Sequence, residues 1–410
     1  AVLGERLTDF DSAGAQAYAL AGEAGALALL HRRGVPLRAD VVQALGRVRH
    51  NAMLKLVEQR IVRHQGAERL ISVIERPTGP CLADLAAAKG LPDRVIRQDV
   101  LPPLLTTLRA LHDAGIVHRG VNPRRLYFDG DDLTKVRLGE CFSAPAGIDQ
   151  PVVYEPVERA LAQPAGRGEG TPADDYYALG VTLLALITGN DLSHGRTPEQ
   201  MAAAKLAHGS FWALSGGADQ VGGLGVLLRG LLNDDARERW GGEQLADWMT
   251  GAARTVNAPD QPWALPRGVN FAGTSYGDRR ALAQAMAQDP AEAAVYIRRQ
   301  DLAQWINHHL PQAPSTAEFC RLILTGQGSR RGEIPSTGAD HLVARFCTLL
   351  DPTGPLRFRS LSVMPDGLGP ALAMAQKDDA ARADMTELVT SPLLAALGDI
   401  MALMPGGGRR

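Results

Sequence analysis

From Leu3 to Glu75 short apolar stretches alternate with polar turns. Ala26 to Leu30 is unbroken apolar, Leu70-Ile-Ser-Val-Ile-Glu75 alternates, and Arg38 to Val48 between them has helical spacing. Strands around one helix are predicted. From about residue 80 to 252 the apolar positions recur every three to four residues, as in Val100-Leu101, Leu104-Leu105, Leu108 and Leu111, which predicts helices. Asn257 to Gly277 holds Pro259, Pro262, Pro266, Gly268, Gly273 and Gly277, a density of breakers that predicts a linker. Beyond it, Asp278 to Met286, Pro290 to Leu310, Ser315 to Leu324, Ala339 to Leu350 and Pro392 to Met404 read as helices, with one short strand from Leu356 to Val363. The expected divisions are 1–78 rich in strand, 79–256 helical, 257–276 linker and 277–405 helical.

Composition narrows this little. A chain of 410 residues with 45% hydrophobic content can bury a sizeable core in two or three domains. A formal charge of −2 gives no global attraction to nucleic acid or acidic lipid. Cys81, Cys141, Cys320 and Cys347 are widely spaced, without a C-x-x-C pair, which fits reduced thiols in a cytoplasmic setting. No apolar run approaches the roughly 18–20 residues needed to cross a bilayer, so no membrane insertion is expected. The termini, Ala1 and Pro405-Gly-Gly-Gly-Arg-Arg410, read as cut points, compatible with a flanking domain or membrane anchor.

The chemistry sits between residues 111 and 142. Leu111-His-Asp-Ala-Gly-Ile-Val-His-Arg-Gly-Val-Asn-Pro-Arg-Arg-Leu-Tyr-Phe128 resembles the catalytic loop of protein kinases, L-H-x-x-G-I-V followed by H-R-D-L-x-x-x-N. His118 and Arg119 match. The resemblance places the base Asp at Gly120, the phosphate-binding Lys at Asn122 and the metal-binding Asn at Arg125. A positioned base is worth roughly 10²- to 10⁴-fold in rate, and Gly120 has no side chain to supply it. At 125 a guanidinium stands where a cation would bind. Lys135-Val-Arg-Leu-Gly-Glu-Cys-Phe142 falls where D-F-G is expected, leaving Glu140 as the remaining candidate metal ligand, with a cap or ion pair as the alternative role.

Upstream, Asp11-Ser-Ala-Gly-Ala-Gln-Ala-Tyr-Ala19 occupies the place of the glycine-rich loop, with Ser12 and Ala17 for two of its three glycines and Gly14 for the third. Leu27-Ala-Leu-Leu30 aligns with V-A-I-K and puts Leu30 at the lysine. No lysine precedes Lys55, and no Glu lies between Arg38 and Val48, Asp40 being the nearest acid; Arg32 or Arg33 is the available substitute charge. Other kinase-like segments are kept: Tyr154-Glu-Pro-Val-Glu-Arg-Ala160 resembles the A-P-E segment with Glu158 as its acid, Asp175 opens a segment like D-x-Y-S-L-G-V, and Asp235-Ala-Arg-Glu-Arg239 resembles D-P-x-x-R. The resemblance implies that Arg239 pairs with Glu158 and that Asp175 holds the backbone around His118.

The expectation is therefore an α+β, bilobal protein-kinase-like fold, with a small β-rich lobe and a helical lobe, followed by a mainly helical C-terminal domain. The chain reads as a pseudokinase: not an enzyme, without cofactor or metal, acting as a scaffold or regulator for a protein partner, with no nucleic acid expected. Two alternatives stay open: an ATP-using enzyme with altered chemistry whose ligands are Glu140, Arg125 and Arg32, and a nucleotide-sensing switch. His308-His309, Ser329-Arg-Arg331 and Gly166-Arg-Gly-Glu-Gly170 read as a polar helix end, a solvated turn and a flexible loop. Trp305 and Phe319 read as core residues.

Overall fold

The computed structural model describes residues 3–48, 52–86, 89–130, 132–216, 221–252, 255–256, 263–311, 313, 315–325 and 338–404. Ser329 to Arg331 and the end from 405 lie outside them. The chain forms two compact units, Ala1–Ala160 with Arg167–Asp260, and Leu161–Gly166 with Gln261–Arg410.

The first unit opens with five antiparallel strands, β1 (Leu3–Arg6), β2 (Ala15–Leu20), β3 (Ala26–His31), β4 (Leu56–His64) and β5 (Ala67–Glu75), in spatial order β1-β2-β3-β5-β4. The unbroken apolar run of β3 follows from its central place, paired with β2 on one side and β5 on the other. Helix α1 (Ala39–Leu45) lies between β3 and β4 in the chain and buries Val41. Its start is set by Arg38, whose N–H donates to Phe142 O at 2.9 Å.

The helical part contains α2 (Leu82–Ala86), α3 (Leu101–Asp113), α4 (Val157–Ala160), α5 (Pro172–Thr188), α6 (Pro198–His208), α7 (Ser210–Ser215), α8 (Gly225–Leu231) and α9 (Gly242–Met249), with the hairpin β6 (Leu126–Asp129) and β7 (Asp132–Leu138). The buried stripe of α3 is Leu101, Leu104, Leu105, Leu108 and Leu111, the spacing read from the sequence. Helix α5 is buried on nearly every side, as its almost wholly apolar middle requires. The Asp174 carboxylate accepts the Thr171 N–H at 2.7 Å to start it, and Gly189 at φ 66° ends it. Gly180 lets α8 approach: a Cβ there would lie 2.8 Å from Leu231 Cβ.

In the second unit, the stretch expected to be a linker instead forms the hairpin β8 (Ala264–Phe271) and β9 (Thr274–Asp278) from Ala264 onward. Its glycine at 273 makes a turn, Ala272 and Gly273 both having positive φ, and Leu265, Val269 and Phe271 are buried. Helices α10 (Arg279–Gln288), α11 (Pro290–Arg299), α12 (Leu302–His309), α13 (Thr316–Thr325) and α14 (Ala339–Leu350) follow, and Leu282, Met286, Ile297, Trp305, Phe319 and Phe346 share one core. The single strand expected over 356–363 is two, β10 (Leu356–Phe358) and β11 (Leu361–Val363), joined through Arg359 at φ 51°. Helices α15 (Leu368–Ala375), α16 (Asp379–Thr390) and α17 (Leu393–Leu403) complete the unit.

Segment Leu161–Gly166 belongs to this unit through strand-like bonds: Gln163 N–H donates to Ser362 O and Met364 N–H to Gly166 O, both at 2.8 Å, and Ser362 Oγ donates to Leu161 O at 2.7 Å. Among the described residues no single helix is long and apolar enough to cross a membrane.

Candidate functional site: the cleft around residues 118 to 150

The loop after α3 is held from beneath by Asp175, which is fully buried. Its carboxylate accepts the backbone N–H of His118 at 2.7 Å and of Arg119 at 2.8 Å, and lies 2.9 Å from His112 Nε2. Burial pushes this carboxyl upward in pKa, but the hydrogen bond from His112, that ring's charge and the loop amide outweigh it and hold it below its ordinary value. Arg119, at φ 60°, turns its guanidinium to Glu155 at 2.9 Å. Arg239 reaches Glu158 at 3.4 Å and Asp174 at 3.7 Å, and Asp174 also accepts from Arg159 at 2.9 Å.

Above this base the side chains are charged. Arg125 places one guanidinium nitrogen 3.3 Å from Glu140 and another 3.3 Å from Asp149. Glu140 Oε2 accepts the N–H groups of Phe142 (2.8 Å) and Ser143 (2.9 Å), and Oε1 accepts the Ser143 hydroxyl at 2.5 Å. Burial pushes the Glu140 carboxyl up, yet Arg125 and the Ser143 and Phe142 donors overcome it and keep it below the usual carboxylate range. Asp149 goes the other way: burial raises it more than Arg125 and the Ala13 N–H lower it. Asn122 is committed to the loop, its amide donating to Gln150 Oε1 at 2.9 Å and its oxygen accepting the Arg124 N–H at 3.1 Å.

The loop between β1 and β2 closes onto this cluster. Ser12 Oγ lies 2.8 Å from Ser143 Oγ, and Ala13 N–H donates to the Asp149 carboxylate at 2.9 Å. Gly14 permits the approach, since a Cβ there would sit 1.7 Å from Ser143 O. Ala17 is a fully buried strand residue of β2.

The strand register corrects the expected cleft-facing residue of β3. Leu30 lies in an apolar cluster with Leu20, Ala28, Ile71 and Val73. His31, on the opposite face, is bonded to Ser72 at 2.8 Å and is near enough to Glu140 to feel its charge; burial lowers its pKa and Glu140 opposes the change. Arg32 is 3.9 Å from Asp11 on the surface, and Arg33 is exposed. The cation that enters the cleft from the α1 side is Arg38: buried, it donates to Cys141 O and Val117 O at 2.8 Å and to Glu169 at 2.8 Å. The 166–170 loop is accordingly anchored, with Arg167 buried and donating to Gly147 O at 3.0 Å.

A magnesium ion does not fit these residues. It needs oxygen lone pairs, and both Glu140 oxygens already accept two donors each, one of them the Arg125 cation. Among the described residues no group of three or more His, Cys, Asp or Glu side chains is disposed to hold a metal. Glu140 is thus the anchor of a turn and the partner of Arg125. His31, Arg38, Ser143 and Asp149 are the site residues the sequence did not point to; only His31, one residue from the marked position, carried any signal.

No protein-family model matches the chain. The probable serine/threonine-protein kinase PknB of Corynebacterium glutamicum is 27% identical over 167 residues, 39% of this chain and 26% of that protein. The serine/threonine-protein kinase PknL of Mycobacterium tuberculosis is 27% identical over 168 residues, 40% of this chain and 41% of that protein. Over these segments the chain is similar to serine/threonine-protein kinases. The calcium/calmodulin-dependent protein kinase type 1 of Macrobrachium nipponense is 24% identical over 229 residues, 53% of this chain and 63% of that protein. A solved structure of Rad53 residues 1–466 with AMP-PNP has a TM-score of 0.43 at 17% identity, covering 59% of this chain and 63% of that one. This kinase-like chain spans between about a quarter and two fifths of the two bacterial relatives. That these relatives are named as kinases overturns the expectation that the chain is not an enzyme. That expectation rested on residue types at single aligned positions, whereas the cleft sets Arg125 of that loop beside Glu140 and adds His31 and Arg38, which those positions did not mark.

Proposed function

We propose that this chain is a kinase-fold signalling protein that uses a nucleoside triphosphate in a cleft of altered chemistry, with the Arg125 guanidinium as its fixed cation. The observation that carries the reading is the bracketing of Arg125 by Glu140 and Asp149, both at 3.3 Å, on the segment that resembles the kinase catalytic loop. A pre-placed guanidinium suits phosphoryl oxygens through directed N–H donors and needs no metal. The naming of several relatives as kinases supports the same reading. Entry of the triphosphate requires the Ser12–Ser143 and Ala13–Asp149 contacts to part. The test is labelled ATP with the full chain, with magnesium or with EDTA. Label transfer or hydrolysis that persists in EDTA and falls roughly 10²- to 10³-fold in Arg125→Ala is expected. Strict magnesium dependence, or indifference to Arg125→Ala, overturns it.

A second reading, docking of a protein partner as a scaffold or regulator, is supported by a groove of about 910 Å³ lined by Val42, Leu45, Met53, Leu56 and Val57. It adjoins the edge strand β4, where Val57 is 60% and Ile61 68% exposed. Crosslinks from a co-purifying protein that map to β4, and disappear in Val57→Asp, check it.

A further inference from the structure

We propose that His118 is the general base of this cleft, its Nδ1 doing the work of the carboxylate that the family carries at the position of Gly120. The inference rests on the reading above, that the cleft uses a nucleoside triphosphate.

Three features of His118 lead there. Its ring is buried, 1% exposed, and Nε2 lies 3.1 Å from Gly139 O. A carbonyl can only accept, so Nε2 carries the proton and Nδ1 of the neutral ring presents a lone pair. Nδ1 has no hydrogen-bond partner among the described residues. It is an unspent acceptor in a cleft where the others are committed.

Nδ1 is buried, and at Gly120 no side chain covers it. A Cβ at position 120 would start 3.3 Å from both Cε1 and Nδ1 of His118, so any side chain there would lie over the ring edge. Without one, His118 borders a cavity of about 30 Å³ lined also by Asn122, Arg125 and Glu140. That is room for one water or one incoming hydroxyl group.

The other candidate bases on this cavity are excluded by their own bonds. Glu140 accepts from four donors and Asp149 from Ala13 and Arg125. Burial pushes the Cys141 thiol up to about 12, so no thiolate is present at neutral pH. For His118, burial lowers the pKa, Arg38 and Arg125 lower it further, and Asp175 and the Gly139 carbonyl work against them. The net lowering keeps the ring neutral and ready to accept a proton at pH 7.

In the step this allows, the acceptor hydroxyl gives its proton to Nδ1 while its oxygen bonds to the terminal phosphorus. The bond from that phosphorus to the bridging oxygen breaks, and its electron pair leaves with the nucleoside diphosphate. The imidazolium keeps its Nε2–H on Gly139 O and loses the new proton to solvent as product departs.

The experiment uses the full chain, γ-labelled ATP, and dephosphorylated casein or the chain itself as acceptor, across pH 5 to 9. Wild type is expected to transfer at a constant rate above about pH 7 and to lose about tenfold per pH unit below the His118 pKa. His118→Asn is expected to lose roughly 10²- to 10⁴-fold at unchanged thermal stability, and His118→Asn/Gly120→Asp to recover much of it, since a carboxylate returns to the same cavity. A merely structural histidine would not be rescued from position 120. Nitrogen-15 spectra of wild-type His118 read the tautomer directly, so the base stays testable if His118→Asn fails to fold. A protonated Nδ1 in the neutral ring, or a folded His118→Asn that transfers at the wild-type rate and pH profile, overturns the base alone. No transfer or hydrolysis by wild type overturns the triphosphate reading and the base together.

Discussion

Removing the Asp175 carboxylate is the most direct way to ask what holds the 118–119 loop. Asp175→Ala deletes the acceptor of two buried backbone N–H groups, those of His118 and Arg119, and the partner of His112. Water has little access, because Asp175 is 0%, His118 1% and Arg119 3% exposed. Each buried donor left without an acceptor costs about 1–3 kcal/mol. Arg119 also sits at φ 60°, a conformation that costs a non-glycine residue on the order of 1–3 kcal/mol and persists only while its surroundings enforce it. Relaxation of Arg119 recovers part of the loss, so a destabilisation of about 3–5 kcal/mol is expected, near the cost of breaking a buried pair from one side. Asp175→Asn keeps one acceptor oxygen but turns an NH₂ toward a donor, and should fall between wild type and Asp175→Ala. Urea unfolding followed by hydrogen exchange at the His118 and Arg119 amides measures both quantities. A loss below about 1 kcal/mol, or unchanged protection of those amides, would refute the argument that this carboxylate sets the loop.

Other outcomes follow from single side chains. Lys205, buried with its ammonium donating to Val152 O, Val153 O and Glu155 O, has its pKa lowered by burial to about 7. The unfolded chain therefore binds more protons between pH 7 and about 10, so stability should rise across that window and the rise should vanish in Lys205→Met, as thermal melts at stepped pH will report. The lowered pKa values of Glu140, Asp174 and Asp175 act at the other end: their contribution is present above the unfolded carboxyl range and is lost as pH falls through the folded values, predicting acid unfolding that Glu140→Gln moderates. Gly230→Ala would put a Cβ 2.2 Å from Trp240 Cδ2, and a loss of about 1–3 kcal/mol with a shifted Trp fluorescence maximum is expected. Asp351→Ala in the second unit strips Arg280 (3.0 Å) and Arg357 (2.8 Å) of their buried carboxylate; it should cost about 3–5 kcal/mol, read as lost exchange protection in α10 and α14.

The helical lobe was legible because its motifs are packing motifs. Leu111 is buried as its helical spacing implied, and Asp175, Glu158 and Arg239 make the contacts that the kinase resemblance implied, since a buried helix and an ion pair constrain residue type strongly. The cleft was less legible for a geometric reason. A strand has period two, so reading β3 one residue early exchanged Leu30 for His31 and reversed the chemistry assigned to that face. Asp149 and Ser143 act through Ala13 and Ser12, more than a hundred positions away in the chain, and no local pattern encodes such a meeting. Glycines and prolines between 257 and 277 spelled interruption, but Gly273 is there to turn a hairpin whose strands bury Val269 and Phe271.

Segment Leu161–Gly166 has a consequence for how the molecule is made. The second unit is discontinuous in the chain, assembled from six residues that precede α5 and from everything after residue 260. During synthesis those six emerge long before β11, whose Ser362 and Met364 they bond, has been translated. At roughly 5–20 residues per second they wait many seconds for their partner strand, while the kinase-fold helices around them can already close. Emergence of β11 and the helices after it, rather than completion of the first unit, is thus the moment at which the second can finish folding. A cut near Pro262 separates it from a piece of itself.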